Sequence, residues 1–297
     1  MQIKNVTIIG TGTLGTQIAM VVVAAGYQVK TFDTVADALD KNLTDLKNTL
    51  QGKSATPLIP FEEWGDLAAK IGRFNELGPA VAEADLVIEA VNEDLELKKK
   101  VFSELGRLTP RHAVLATNSS SLPVSRVEES SGRPERCLNL HFSRPLEGLH
   151  HVDLMGGSRT SPEIMDLGDT FLRSLGCLPL RVNREMLGFC FNRVWRAVKK
   201  EALHMWADGS VNLRDIDRGW MIFTGMKEGP FGFMDQIGLD VVYGIEMVYY
   251  SDSQDPGDHP PQALKDKIRR GELGVKSGKG FYSYPNPEYL DPGFLKP

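Results

Sequence analysis

Val6-Thr7-Ile8-Ile9-Gly10-Thr11-Gly12-Thr13-Leu14-Gly15 opens almost at the N-terminus, and its reading decides how the first part of the chain folds. A β-branched apolar run stops at Gly10 and gives way to Gly-x-Gly-x-x-Gly. Ile18 to Ala25 then supplies an apolar helix that Gly26 can end. In a strand–turn–helix each glycine has its own reason. Gly10 permits the tight turn, Gly12 lets the backbone approach a pyrophosphate, and Gly15 lets helix and strand pack closely. An anion would then sit on unpaired N–H groups at the positive end of the helix dipole, with Thr13, Leu14 and Gly15 among the expected cofactor-binding residues.

Alone, Gly-x-Gly-x-x-Gly is a weak signal, because glycine-rich turns are common. Three features of context strengthen it: a strand before, a helix after, and a second strand that ends in an acid. That strand is Tyr27 to Asp33, and Asp33 lies eighteen residues beyond Gly15. A carboxylate there accepts hydrogen bonds from the adenosine ribose hydroxyls and repels a 2′-phosphate. The expected cofactor is NAD rather than NADP.

The 297 residues are enough for two domains, each with a core. A net charge of −5 leaves no footprint for nucleic acid or an anionic membrane, so neither is an expected partner. No signal-like stretch precedes the first strand and no apolar run is long enough for a membrane helix. Cys137, Cys177 and Cys190 lack metal-ligand spacing and read as small apolar residues in a reducing compartment, most simply the cytoplasm; no metal is expected.

Ala36 to Leu50 has helical periodicity, and Gly52, Pro57 and Pro60 interrupt it. Lys41, Lys47, Lys53 and Lys70 form a solvated face or, in the case of Lys53 above all, contact a phosphorylated substrate. Further strands are expected at Ile71–Phe74, Asp85–Val91, Ala113–Thr117, Cys137–Phe142, His150–Met155 and Leu178–Val182. Helices are expected at Leu95–Leu108 and Pro162–Leu175. Beyond Asn183 the pattern turns helical, at Leu187–Ala207, Asn212–Gly219, Gly238–Tyr250 and Pro261–Arg270. The fold class is therefore α/β. A Rossmann-type doubly wound sheet over residues 1–183 binds NAD, and a smaller all-α domain over residues 184–297 contributes to a substrate cleft. Its apolar faces need covering, so a homodimer is expected.

Several motifs in one order then resemble the L-3-hydroxyacyl-CoA dehydrogenases nearly end to end. They are Gly10–Gly15; Glu89-Ala90-Val91-Asn92-Glu93; Asn118-Ser119-Ser120-Ser121-Leu122; His141-Phe142-Ser143-Arg144-Pro145; Gly188-Phe189-Cys190-Phe191-Asn192-Arg193; Gly229–Asp235; and Gly274–Tyr282. The resemblance implies His141 as general base, taking the hydroxyl proton as hydride leaves for the nicotinamide. It implies Asp153 as the acid that orients His141, one methylene shorter than the family's glutamate. Ser120 and Asn192 match residues that hydrogen-bond the substrate oxygen. Glu93 and Lys98 match positions near the nicotinamide ribose.

Two departures bear on substrate. Ser143-Arg144 stands where the family usually has phenylalanine and asparagine. Arg144 therefore brings a guanidinium to the cofactor or to an anionic substrate, or it pairs with Glu147. Pro57 and Pro60 interrupt a segment that in the family is a lysine-rich hairpin gripping CoA. The expected function is NAD-dependent interconversion of a 3-hydroxyacyl-CoA and its 3-ketoacyl-CoA, as in fatty acid metabolism. One alternative is a dehydrogenase of a free 3-hydroxy acid of carnitine or gulonate type. A third reading is an NAD-binding protein without catalysis, because a fold alone does not license an activity.

Overall fold

The computed structural model describes residues 2–51, 59–143, 146 and 151–296, and the chain divides into two compact units, Met1–Phe191 and Asn192–Pro297. The first is built on β1 (Asn5–Ile9), β2 (Gln28–Phe32), β3 (Gly72–Phe74), β4 (Leu86–Glu89), β5 (Val114–Thr117), β6 (Cys137–Phe142), β7 (His151–Gly156) and β8 (Leu178–Val182). They form one sheet in the order β3-β2-β1-β4-β5-β6-β7-β8. Its helices are α1 (Thr13–Ala24), α2 (Ala38–Gln51), α3 (Trp64–Ala69), α4 (Leu77–Val81), α5 (Leu95–Leu108) and α6 (Pro162–Ser174).

The chain winds outward from β1 to β3, then restarts on the other side of β1 with β4. This reversal opens a crevice at the carboxyl ends of β1 and β4, where doubly wound sheets bind ligands. Every residue of β4 and β5 is buried, as expected of parallel strands covered on both faces. Ile8 and Ile9 feed separate hydrophobic clusters, one with Ile18, Val22 and Leu140, the other with Val87, Phe102 and Leu105. Successive strand residues point to opposite faces, so the two clusters are the two faces of the sheet.

Only the β6–β7 pairing is antiparallel among the named strands; β8 then runs parallel to β7. That reversal faces His141 with Asp153 directly across the ladder.

The second unit contains α7 (Phe191–Ala207), α8 (Leu213–Thr224), α9 (Pro230–Ile237), α10 (Leu239–Ser253) and α11 (Gln262–Arg269). Two expectations need correction. The long helix starts at Phe191 rather than Leu187, because Gly188 and Phe189 take φ of 81° and 52° and cannot continue a right-handed helix. α9 lies on the Gly229–Asp235 motif, for which no helix was expected; Pro230 at its first turn favours one. Among the described residues no helix is long and apolar enough to cross a membrane.

Two buried aspartates organise this unit. The Asp217 carboxylate accepts hydrogen bonds from Phe231 N–H (2.9 Å) and Gly232 N–H (3.1 Å) at the start of α9, and from the Tyr282 hydroxyl (2.9 Å). Asp235 accepts from Phe281 N–H and Tyr282 N–H, each at 2.9 Å. A Cβ on Gly229 would fall 2.3 Å from the Asp217 carboxyl carbon, and one on Gly280 2.0 Å from an Asp235 oxygen, so glycine is required at both.

Burial pushes Asp217 up to about 6 although three hydrogen bonds oppose the rise. The folded state therefore binds a proton more tightly than the unfolded chain. The stability this confers is complete below about pH 4 and is lost as pH climbs through about 6, up to about 3 kcal/mol in all. Thermal unfolding followed by circular dichroism at pH 5 and pH 7 should show a gain on acidification in the wild type, relative to Asp217→Asn. Equal pH dependence in the two proteins would contradict this.

Candidate active site

His141 lies near the carboxyl end of β6 and is 6% exposed; Asp153 opposite is 1% exposed. Imidazole Nδ1 is 3.1 Å from Asp153 Oδ2. A carboxylate can only accept, so facing it Nδ1 is the donor, and in that tautomer of the neutral ring Nε2 keeps its lone pair. The other carboxylate oxygen is also engaged: Cys190 N–H donates to Asp153 Oδ1 at 3.2 Å. The Phe189 ring stacks on the imidazole at 5.0 Å and 12° between planes. Phe189 reaches this position through its left-handed backbone, an uncommon state for a bulky residue.

β4 and β5 end beside one another and their exit loops are tied together by Glu93. Its carboxylate accepts from the hydroxyls of Ser119 and Ser121 (2.7 Å for the latter) and from Ser121 N–H (3.0 Å). Leu122 N–H in turn donates to the Ser119 hydroxyl at 2.8 Å. The loop is thus pinned through Ser119, which is buried, while Ser120 beside it is exposed. Burial works to raise the Glu93 carboxyl, but these hydrogen bonds and Lys98 outweigh it and hold the group below the usual glutamate range. Asn118 secures the same loop to β6 by accepting Phe142 N–H at 2.8 Å.

Lys98, in the first turn of α5, is 1% exposed. Its ammonium sits 2.7 Å from Glu89 Oε1 and 3.3 Å from Glu93 Oε2. Glu89, fully buried, also accepts Val91 N–H (2.8 Å) and the Thr117 hydroxyl (2.7 Å). Removing one partner of such a pair strands a buried charge, at a cost of about 3–5 kcal/mol. Lys98 therefore stands behind Glu93 and fixes it, with little surface of its own to offer a ligand.

At the β1–α1 turn, a Cβ on Gly10 would meet Ala90 O at 2.8 Å, and one on Gly15 would meet Gly10 O at 1.9 Å. Gly12 differs: a Cβ there has no protein atom within 4 Å, so the space above it is open. The first turn of α1, with Thr13, Leu14 and Gly15, has no side-chain cap and no acid. Asp33 accepts from Thr11 N–H (2.6 Å), the Thr11 hydroxyl (2.9 Å) and Val35 N–H (3.0 Å). Partial burial pulls it upward, but these bonds prevail and keep it ionised, below the ordinary aspartate range. It borders a cavity of about 240 Å³ together with Arg73, Phe74 and Asn75.

Asn192 is the second residue of α7 and is partly buried, in the other compact unit. Lys53 and Arg144 lie outside the described residues. Sequence reasoning assigned no role to Glu89, Ser119 or Phe189, and it read Cys190 as a small buried residue, whereas Cys190 is exposed. Glu89 carried a signal, since an acid ending an apolar strand demands a buried partner; Ser119 and Phe189 carried none beyond their motifs.

The family model described as 3-hydroxyacyl-CoA dehydrogenase, NAD binding domain, matches residues 5–186, and that family's C-terminal domain matches residues 188–284. A probable 3-hydroxybutyryl-CoA dehydrogenase of Bacillus subtilis is 31% identical over 284 residues, 96% of this chain and 98% of the relative. The 5-formyl-3-hydroxy-2-methylpyridine 4-carboxylate 5-dehydrogenase of Mesorhizobium japonicum is 29% identical, over 95% of this chain and 91% of the relative. Among solved structures, a diketoreductase described as acting on dicarbonyl compounds superposes with a TM-score of 0.85 at 33% identity, covering 96% of this chain and all of the other.

Asp153→Asn keeps the size of the side chain and removes its charge, allowing the imidazole to adopt the other tautomer. Steady-state kinetics should show kcat lowered about 10²- to 10⁴-fold, with NADH affinity intact. A loss under about threefold would contradict the orienting role.

Proposed function

Because the chain belongs to the 3-hydroxyacyl-CoA dehydrogenase family, we propose that it interconverts a 3-hydroxyacyl-CoA and the corresponding 3-ketoacyl-CoA, with His141 as general acid and base. The observation that carries this reading is a buried histidine whose Nδ1 is held by a buried carboxylate at 3.1 Å, at the end of a sheet strand.

NAD is the cofactor, and the residues present fit it. Gly12 leaves open space at an uncapped helix start, as a pyrophosphate requires, and Asp33 is ionised beside a cavity. When bound, NAD supplies the hydride acceptor. The protein's own work concerns the proton and the oxygen. Nε2 of His141 takes the hydroxyl proton, and Asp153 stabilises the imidazolium that results. In ketone reduction the same nitrogen returns the proton. The Ser120 hydroxyl and the Asn192 carboxamide serve as donors to the substrate oxygen, stabilising the charge that develops there. Glu93, fixed by Lys98, Ser119 and Ser121, accepts hydrogen bonds from the nicotinamide ribose.

A second reading, a free 3-hydroxy or keto acid as substrate, is favoured by one observation. The diketoreductase and the pyridine carboxylate dehydrogenase resemble this chain about as closely as the thioester enzyme does. In that case Arg144 binds the substrate carboxylate; in the thioester reading Lys53 contacts the CoA phosphates. We also infer a homodimer. Phe223, Ile222 and Met226, at the end of α8, are 91%, 67% and 48% exposed, an apolar cluster that a second copy would cover.

NADH oxidation with acetoacetyl-CoA, run beside free acetoacetate and longer 3-keto acids, tests the reading. Turnover of the thioester, reduced at least about 10²-fold by His141→Ala, is the expected result. Turnover of free acids alone moves the substrate to the carboxylate class. Turnover of neither, with NADH bound, supports the non-catalytic alternative.

A further inference from the structure

β3 lies beside β2 in parallel register, with Arg73 opposite Thr31 and Phe74 opposite Phe32. Arg73 therefore sits one strand away from Asp33, and both line the same cavity. Among the described residues lining it, Asp33 is the one carboxylate and Arg73 the one cation. The two do not pair with each other. The Arg73 guanidinium is taken up by Asp40, in the first turn of α2: Nε lies 3.1 Å from both carboxylate oxygens and Nη2 2.7 Å from one of them. Nη1 donates to the carbonyls of Ile71 (2.7 Å) and Ala68 (3.2 Å). All three nitrogens are thus committed, in the fork geometry that arginine offers a carboxylate.

We propose that the Asp40–Arg73 pair is a second determinant of coenzyme choice, because it withholds from a 2′-phosphate the arginine that lines this cavity. The inference rests on reading the Gly10–Gly15 turn and Asp33 as the NAD site. A ribose hydroxyl needs an acceptor, which Asp33 supplies. A 2′-phosphate needs the opposite, a cation with free donors, and an arginine nearby is how dinucleotide sites accommodate it. This cavity holds such an arginine, yet its charge is balanced by Asp40 and four of its five N–H donors are engaged. Two obstacles therefore stand against a phosphorylated dinucleotide. Asp33 repels it, and Asp40 occupies the group that would hold it.

Two obstacles in series predict non-additive substitutions. Asp33→Ala removes the repulsion and leaves Arg73 pinned. Asp40→Ala frees Arg73 and leaves the repulsion. Only the double variant presents a released guanidinium with no Asp33 carboxylate beside it to pair with it or repel the phosphate.

The test is equilibrium binding of NADH and NADPH by cofactor fluorescence, without substrate, to the full chain and its variants. Each single variant should raise NADPH affinity less than about tenfold, and Asp33→Ala/Asp40→Ala should exceed the product of the two gains by at least about tenfold. Adding Arg73→Met to the double variant should return NADPH affinity to the level of Asp33→Ala alone. A gain equal to the product, or one that survives Arg73→Met, overturns the proposal. So does a parallel fall of NADH and NADPH affinity on Asp40→Ala, which would mark the pair as a brace between α2 and β3. Failure of the wild type to bind NADH would instead overturn the cofactor-site reading beneath it.

Discussion

A single antiparallel pairing, β6 against β7, sets the chemistry of the first unit. In a fully parallel sheet the carboxyl end of β6 would face the carboxyl end of its neighbour. The reversal instead brings the amino-terminal half of β7 against it, so His141 meets Asp153 directly across the ladder. Both side chains are buried, and the hydrogen bond between them acts where water does not compete. The turn at 186–190 completes the arrangement from outside the ladder. Its Cys190 N–H occupies the second carboxylate oxygen, and its Phe189 ring fixes the plane of the imidazole. A carboxylate bonded at both oxygens has one orientation, and so does the histidine it holds.

The cofactor end of the unit depends on steric closeness rather than charge. Gly10 and Gly15 are demanded by the protein itself, because backbone atoms fill the space a side chain would need. Gly12 differs in that a Cβ there would meet no protein atom within 4 Å. Between the two ends, the buried Glu89–Lys98 pair and the half-exposed Glu93 link the exits of β4 and β5 into one rigid rim. The rim holds Ser119 inward and leaves Ser120 exposed.

Much of this was legible in the sequence because it is local. Gly-x-Gly-x-x-Gly, the apolar strands and Asp33 each follow from residues within a few positions of one another. His141 and Asp153 were legible through resemblance to a family motif, not through spacing. What escaped involves distant partners or local preferences overridden by packing. Phe189 has no intrinsic tendency toward the left-handed region, so no local rule could place it there. Asp40 and Arg73 are thirty-three residues apart and meet only because the fold brings the first turn of α2 to β3. Asp217 and Asp235 were invisible as organisers, since an aspartate on a helix ordinarily faces water.

With Asp153 facing Nδ1 at 3.1 Å, Nε2 of His141 is the proposed proton acceptor. Nitrogen-15 NMR of histidine-labelled protein at neutral pH tests it most directly, with His141→Asn to assign the signal. The expected neutral tautomer of His141 is protonated on Nδ1, facing Asp153, and bare on Nε2. A ring protonated on Nε2, with Nδ1 bare, would contradict it.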